Sequence, residues 1–213
     1  MYEVRWFFEG TLPSEVHAWL NSLRGMPEAQ PTRPEVYLRW GEQIGLKISR
    51  GNLELKYCPT PGEPFTLAGG WSGSIETWTR SEWQYRPKDQ SDPDPVFDQF
   101  ANNAFAGIRF RTQKNRILLK FDATQEELLP IKPKDIAPEA FLVELGGLTV
   151  MDHGTWWFVQ FELVGDERTA KDALKKRMAW ALGQGWPGGL PLRQADSMGY
   201  PRFFERLVGR DLG

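Results

Sequence analysis

The stretch GLKISRGNLELKYC, residues 45–58, decides how the chain is read. Successive side chains on a strand point to opposite faces, so Leu46 and Ile48 share one face while Lys47 and Ser49 share the other. After a tight turn at Gly51–Asn52, Leu53, Leu55 and Tyr57 alternate against Glu54 and Lys56. A two-residue loop there pairs Ser49 with Glu54 and Lys47 with Lys56. Two lysines facing each other repel. The charged face therefore either meets water or faces something negative.

The pattern recurs along the chain. Gly107–Asp122 (GIRFRTQKNRILLKFD) reads as a second hairpin, with Arg109 and Arg111 alternating against Ile108 and Phe110. A loop at Lys114–Asn115 sets Arg109 opposite Lys120. In Tyr2–Phe8, Glu3, Arg5 and Phe7 oppose Tyr2, Val4, Trp6 and Phe8; in Thr155–Val164, Gln160 and Glu162 oppose Trp157, Val159, Phe161 and Leu163. In Ile75–Trp83, Glu76, Trp78 and Arg80 share a face. Pooled, these faces carry Arg5, Lys47, Lys56, Arg80, Arg109, Arg111 and Lys120, with Glu3, Glu54, Glu76 and Glu162. If they line one cavity, its composition suits a polyanion with a divalent metal. The competing reading makes each the wet face of an open sheet.

Composition narrows the class. The 213 residues are 40% apolar and 25% charged, as in a globular protein. Ten Trp and thirteen Phe suit a packed β-rich core. A net charge of −2 argues against a dedicated nucleic-acid binder, which carries a basic surplus. Cys58, the only cysteine, forms no intramolecular disulfide and reads as a small hydrophobe at a strand end. His17 and His153 are not spaced with other ligands, so zinc chemistry and a Ser-His-Asp triad find little support. No apolar run approaches the ~20 residues of a membrane span, and MYEVRWFFEG lacks the regions of a signal peptide. The expectation is a cytoplasmic protein with no membrane or nucleic-acid partner and no signal for its oligomeric state.

Punctuation gives the organisation. Ser14–Arg24 reads as a helix capped by Ser14, with Val16, Trp19, Leu20 and Leu23 at helical spacing. Gly25–Pro34 reads as a loop, Glu35–Trp40 as a strand, Pro59–Gly70 as irregular, and Trp71–Tyr85 as one or two strands. Arg86–Pro95 is a polar connector, and Val96–Ala104 a short helix. Thr124–Leu129 reads as a helical turn capped by Thr124. Phe141–Val150 and Thr155–Val164 are strands joined by a short turn. Thr169–Leu182 is the clearest helix, burying Ala170, Leu174, Met178 and Ala181; Ser197–Val208 ends in a short amphipathic segment. Both strand-rich halves show the charged-face pattern, so residues 1–213 read as one domain. The expected fold is α+β and β-rich: a closed antiparallel β-barrel of about eight to ten strands with flanking helices, charged faces inward and apolar faces outward.

In this order the segments resemble the CYTH, or triphosphate tunnel metalloenzyme, superfamily, which includes class IV adenylate cyclase, thiamine triphosphatase and inorganic triphosphatases. That family opens with E-x-E-x-K, and Met1-Tyr2-Glu3-Val4-Arg5 keeps the second Glu and the basic position. Gly45–Arg50 and Leu53-Glu54-Leu55-Lys56 are similar to its basic hairpin, and Glu76 to the acidic residue of a following strand. Arg109-Phe110-Arg111 with Lys120-Phe121-Asp122 is similar to its later basic hairpin. Gln160-Phe161-Glu162 is similar to its closing E-x-E, and Ser197–Pro201 to the tail helix of some members. The resemblance covers about residues 1–207. It implies an eight-stranded tunnel lined by inward Lys, Arg and Glu, binding a phosphorylated small molecule or polyphosphate with Mg²⁺ or Mn²⁺. Arg5, Lys47, Lys56, Arg80, Arg109, Arg111 and Lys120 would then hold phosphates and Glu3 and Glu162 the metal, with Glu54 or Glu76 orienting water. Met1 and Gln160 replace two family carboxylates, which favours binding with weak or no turnover over an active triphosphatase. A lipocalin-like barrel holding an apolar ligand against Trp78, Trp156 and Phe158 stays open beside both.

Overall fold

The computed structural model describes residues 1–49, 52–84, 109–165 and 170–211. Eleven antiparallel strands form one curled sheet: β1 (Tyr2–Glu9), β2 (Glu28–Leu38), β3 (Ile44–Ser49), β4 (Asn52–Tyr57), β5 (Glu63–Thr66), β6 (Ser72–Thr77), β7 (Thr79–Gln84), β8 (Arg109–Asp122), β9 (Leu129–Ile131), β10 (Ala140–Val150) and β11 (Gly154–Val164). Among the described residues, helices α1 (Ser14–Ser22), α2 (Ala170–Gly183) and α3 (Tyr200–Asp211) accompany the sheet in an α+β, β-rich architecture. The ladder runs β5-β6-β1-β11-β10-β8-β2-β3-β4-β7, with β9 beside β8. β7 ends the ladder on one side and β6 stands next to last on the other, although the two are neighbours in sequence separated only by Trp78. Among the described residues no ladder joins β6 to β7, so the closed barrel expected from sequence is reached only as far as a strongly curled sheet. The curl is tight enough to bring Lys56 Nζ of β4 to 3.5 Å from Glu3 Oε2 of β1.

The convex face is apolar. Val4, Trp6, Leu119, Phe121, Phe141, Val143, Leu145, Trp157, Val159, Phe161 and Leu163 form its core, with Val16, Trp19 and Leu20 of α1 and Leu174, Met178 and Ala181 of α2 in the same cluster. Helical spacing places each helix's apolar residues on the face turned to the sheet. Trp19 Nε1 donates to the carbonyl of Ala181 at 2.8 Å, tying the two helices together.

The concave face changes character along its length. At one end it is charged. At the other, Phe7, Phe110, Tyr37, Trp156 and Phe158 pack against Phe203, Phe204 and Leu207 of α3. Phe7 stacks on Phe203 with ring centroids 4.0 Å apart, and Phe110 on Phe204 at 4.4 Å. Gly146 makes room here: a Cβ on it would fall on the Phe158 ring. The lead-in to α3 enters the wall itself. β1 pairs with β6 only at Tyr2 and Glu3. Beyond them Ser197 bridges Trp6, Met198 N donates to the Arg5 carbonyl at 2.9 Å, and Ser74 N donates to Ser197 Oγ at 2.9 Å.

Several local expectations are corrected. Residues 109–122 form one 14-residue strand, not a hairpin turning at Lys114–Asn115. Residues 112–122 of it pair with β10, from Ala140↔Asp122 to Val150↔Thr112, a longer ladder than a hairpin offers. In the β3–β4 hairpin Lys47 faces Glu54, and Ser49 faces Asn52, instead of Lys47 facing Lys56. That register exchanges a like-charge pair for an opposite-charge one, with Lys47 Nζ 3.3 Å from Glu54 Oε1. The expected loop before Glu35 is already strand from Glu28, with a register shift between Gln30 and Arg33 that accommodates Pro31. Pro13 stands at the N-cap of α1, and Ser14 bonds Glu15 instead of capping. At Thr124 the cap is reversed, since Asp122 Oδ1 accepts from both the backbone N and the hydroxyl of Thr124. Trp78 is buried and Trp83 half exposed. The Arg86–Pro95 connector and the Val96–Ala104 helix lie outside the described residues.

Candidate functional site

Strand alternation aligns one row of inward side chains after another. Glu3 of β1 lies between Glu76 of β6 and Glu162 of β11 in register, and Arg5 lies opposite Gln160, which lies opposite Glu144 of β10. On the far wall Arg33 faces Lys114, while Tyr37 faces Lys47, which faces Glu54. Lys56 faces Arg80 of β7. These residues surround a cavity of about 350 Å³. Among the described residues its cations are Arg5, Arg33, Lys47, Lys56, Arg80, Lys114 and Arg116; its carboxylates are Glu3, Glu54, Glu82, Glu144 and Glu162. Glu35, fully buried, stands behind Arg33 and Lys47.

Each cation has a carboxylate within ion-pair distance. Arg33 Nε is 2.7 Å from Glu35, Arg80 Nη2 is 2.6 Å from Glu54, Lys114 Nζ is 3.0 Å from Glu144, and Arg116 Nη1 is 2.9 Å from Glu144. Glu3 accepts from Arg5 at 3.3 Å and Lys56 at 3.5 Å. The pairs have a direction. Lys56 exposes 24% of its side chain and Glu3 2%; Arg80 exposes 47% and Glu54 10%; Arg116 exposes 26% and Glu144 7%. In these pairs the cation stands toward the open space and the carboxylate behind it.

Burial and pairing compete in setting protonation. Burial alone would raise Glu35, but Lys47, Lys114 and Arg33 together outweigh it and hold the carboxyl at about 2. Burial likewise works against Glu144, and Lys114, Arg116 and Arg5 keep it well below the usual carboxylate range. For Lys114 burial wins over Glu144 and Glu35, so its ammonium is pushed down. Burial, with the nearby Glu3, raises both Glu162 and Glu76.

The cavity floor is aromatic. The Arg5 guanidinium lies 4.3 Å from the Tyr200 ring centroid and 5.6 Å from that of Phe158. Lys114 Nζ lies 4.9 Å from Phe158 and 5.1 Å from Tyr200. Electron-rich ring faces accept cations, so these two charges stay in place where water does not reach.

The sequence-derived residues divide in three. Arg5, Lys47, Lys56, Arg80, Glu3, Glu54 and Glu162 line the cavity together. Glu76 is buried beside it, its Oε1 accepting from Gly199 N at 3.1 Å and its Oε2 from Trp78 Nε1 at 3.0 Å. Arg109 and Arg111 do not reach the cavity. They alternate with Phe110 and Thr112 on the opposite face of β8, across from Leu38 and Val36. Lys120 shares the inward parity but lies beyond the cavity, donating to the carbonyls of Pro133 and Asp135. The reading of β8 as a hairpin caused these misplacements. The residues missed were Arg33, Glu35, Lys114, Arg116 and Glu144. A signal existed for Glu144, a lone carboxylate inside the apolar run FLVELGG. Met1 also lines the cavity, its carbonyl accepting from Trp78 N at 3.0 Å.

A divalent ion asks for hard oxygens. Glu3 and Glu162 face each other across β1 and β11, but both oxygens of Glu3 already meet cations, and Glu162 Oε2 accepts from Gln160 Nε2 at 3.1 Å. Gln160 Oε1 accepts from Arg5, so the amide bridges cation and carboxylate. Among the described residues no group of three or more His, Cys, Asp or Glu could hold an ion. The donors fit one ion only if a ligand's oxygens complete its shell.

No family model and no curated protein matches this sequence. Solved structures of similar outline include a candidate adenylate cyclase from Vibrio parahaemolyticus, 9% identical over 98% of each chain with a TM-score of 0.47. Another is a conserved hypothetical protein from Pyrococcus furiosus, 14% identical over 94% of this chain and 98% of its own, with a TM-score of 0.44. A third is a candidate adenylyl cyclase from Hippeastrum described as having a dominant triphosphatase activity; it is 12% identical over 87% of this chain and 89% of its own, with a TM-score of 0.38. At these identities the similarity carries no residue roles to this chain. No helix among the described residues is long and apolar enough to cross a membrane.

Proposed function

We propose that this chain is a divergent triphosphate-tunnel protein that binds a phosphorylated small molecule or polyphosphate in its concave cavity, with weak or no turnover. One observation carries the reading: cations from six strands converge on one space, and in the Lys56–Glu3, Arg80–Glu54 and Arg116–Glu144 pairs the cation stands in front of its carboxylate. An anion entering there meets N–H donors first, and charge-assisted hydrogen bonds to phosphate are among the stronger polar contacts. Closure of the sheet into a full tunnel belongs to the same reading, with the Ser197–Met198 segment sealing the wall between β1 and β6.

Weak turnover is supported by the disposition of the carboxylates. Phosphoryl transfer needs positioning and charge stabilisation, and hydrolysis needs a placed water as well. Glu76 is held by Gly199 and Trp78, Glu54 by Lys47 and Arg80, and Gln160 has an amide in a place where a carboxylate would recruit metal. Mg²⁺ or Mn²⁺, when bound, would sit at Glu162 and Glu3 and neutralise phosphate charge. Arg5, Lys56 and Arg116 would orient the ligand. The test is a thermal-shift and phosphate-release assay with tripolyphosphate, ATP, thiamine triphosphate and phosphomonoesters, with and without Mg²⁺ or Mn²⁺. Ligand at a hundred times its dissociation constant adds about 2.7 kcal/mol of stability. Stabilisation without phosphate release is expected. Metal-dependent release at enzymatic rates would replace binding by catalysis, and no shift with any anion would remove the reading.

A further inference from the structure

We propose that the Tyr200 hydroxyl is a ligand-binding donor: it holds an oxygen of the bound anion and thereby fastens α3 to the filled cavity. This rests on the anion-binding reading above and adds a residue to it. Two buried donors on residues that line the cavity have no hydrogen-bond partner, the Tyr200 hydroxyl and Nε of Arg116. Folded proteins leave few such groups unsatisfied, and each asks for an acceptor. The neighbouring acceptors are engaged elsewhere. Tyr37, stacked on Tyr200 with ring centroids 4.9 Å apart, donates its own proton to Glu35 at 2.6 Å. Glu35 also meets Arg33 and Lys47, and Glu144 meets Lys114 and Arg116. The charges lying against the Tyr200 ring are cations, Arg5 at 4.3 Å and Lys114 at 5.1 Å from its centroid. Burial, with Glu35 and Glu144 acting against Arg5, pushes the phenol up, so it keeps its proton and stays a donor. A protonated hydroxyl beside two fixed cations is a place for a negatively charged oxygen, and hydrogen bonds to such an oxygen are among the stronger ones.

The backbone presents Tyr200 at this place. Met198 N donates to the Arg5 carbonyl at 2.9 Å, and Gly199 N to Glu76 Oε1 at 3.1 Å. A Cβ on Gly199 would fall 2.6 Å from Glu76 Oε2 and 2.7 Å from the Trp78 ring, so this close approach needs glycine. Tyr200 follows as the first residue of α3, its ring stacked on Tyr37 and set edge-on to Phe7. Packing therefore explains an aromatic ring here. It gives no reason for the oxygen, since Phe7, Phe158, Phe203 and Phe204 around it do without one. An anion held by Arg5, Lys114 and the Tyr200 hydroxyl would join β1, β8 and α3 through one ligand.

Tyr200→Phe tests this, because it keeps the ring and its stacking and removes only the hydroxyl. Urea unfolding without anion should show the variant at least as stable as the wild type, since an unsatisfied buried group is gone. Calorimetry at pH 7.5 with tripolyphosphate and ATP, with and without Mg²⁺, should show an affinity about tenfold lower. Hydrogen exchange at equal occupancy should show the amides of residues 200–211 gaining protection from tripolyphosphate in the wild type and much less in the variant. Unchanged affinity and unchanged protection in Tyr200→Phe, with Lys56→Ala still weakening binding, overturn the role of the hydroxyl and leave the anion site in place; the donor then serves a buried water. A variant that is less stable than the wild type without anion yet binds both probes as tightly makes the hydroxyl structural and overturns the inference as well. No binding of either probe by the wild type under any condition overturns the anion site, and this inference with it.

Discussion

Replacing Glu144 by Gln perturbs the cavity where its charges are most enclosed. Glu144 is 6% exposed and holds Lys114 Nζ at 3.0 Å and Arg116 Nη1 at 2.9 Å. At an effective dielectric of about 20, each contact represents about 5 kcal/mol of gross attraction. Desolvation cancels much of it, yet removing one partner of a buried pair still costs about 3–5 kcal/mol because the other charge stays buried. Arg116 is a quarter exposed and can turn to water, which puts the expected loss near 3–4 kcal/mol. Against a total stability of about 5–15 kcal/mol this is a large fraction. With a urea m-value of about 2 kcal/mol/M the unfolding midpoint should fall by about 1.5–2 M at pH 7.5. The loss should also depend on pH in a defined sense. The Glu144 carboxyl lies lower in the folded protein than in the unfolded chain. Its contribution is complete above the unfolded value of about 4.3 and disappears as pH falls toward the folded one. The gap between wild type and variant should therefore begin to narrow near pH 4 and go on closing as the pH falls further. Phosphate should stabilise the variant more than the wild type, since an anion can stand in for the lost carboxylate. A midpoint shift under about 0.5 M at pH 7.5, or a gap that persists undiminished at low pH, would refute the idea that Glu144 anchors the cavity's cations.

Other expectations follow from single contacts. Arg109→Ala with Arg111→Ala should leave phosphate binding by calorimetry within about twofold, because both side chains lie on the face of β8 away from the cavity, whereas Lys56→Ala should weaken it about tenfold or more. Gly146→Ala drives a methyl into the Phe158 ring, and overpacking of this kind costs about 1–3 kcal/mol, readable as a lower melting temperature. Phe203→Ala removes a ring stacked on Phe7 and should cost about 3–5 kcal/mol in urea unfolding. Glu162→Gln should match or exceed wild-type stability at pH 7.5. Burial raises this carboxyl, so its ionised form is disfavoured in the fold, and the advantage of removing it should vanish as pH falls below the unfolded value near 4.3. A clear loss of melting temperature at pH 7.5 would mean that Glu162 is held by contacts other than the one from Gln160.

Strand alternation was legible wherever one face of a strand keeps one character along its length. In β1 and β11, Glu3 and Arg5 against Val4 and Trp6, and Gln160 and Glu162 against Val159 and Phe161, read directly into the two faces of the sheet. β8 broke that rule. Its inward row runs Phe110, Thr112, Lys114, Arg116, changing from aromatic to cationic where α3 gives way to open cavity, as in β1 and β11, but its outward row changes too, from Arg109 and Arg111 to the apolar Ile117, Leu119 and Phe121. A reading that equates charged with inward therefore chose Arg109 and Arg111, and the polar Lys114–Asn115 then passed for a turn. The apolar stretch of α3 was visible in the sequence, but nothing in it told which half of the concave face the helix would cover. The hairpin register failed for a related reason. Alternation fixes which residues share a face but not which residue lies opposite, and the mutual attraction of Lys47 and Glu54 was the deciding term.

The wedge of Ser197 and Met198 between β1 and β6 has a consequence for how the molecule comes into being on the ribosome. β1 is made first, yet its partners are β11, residues 154–164, and the backbone around residue 197. While the intervening chain is synthesised, a strand rich in Trp and Phe waits with one edge unsatisfied. Closures over such long sequence separations are slow to form, and unpaired apolar strands are where nascent chains aggregate. The cavity can therefore be completed only late in synthesis. Cutting the chain before residue 197 should give not a smaller binding protein but one whose first strand has lost part of its wall.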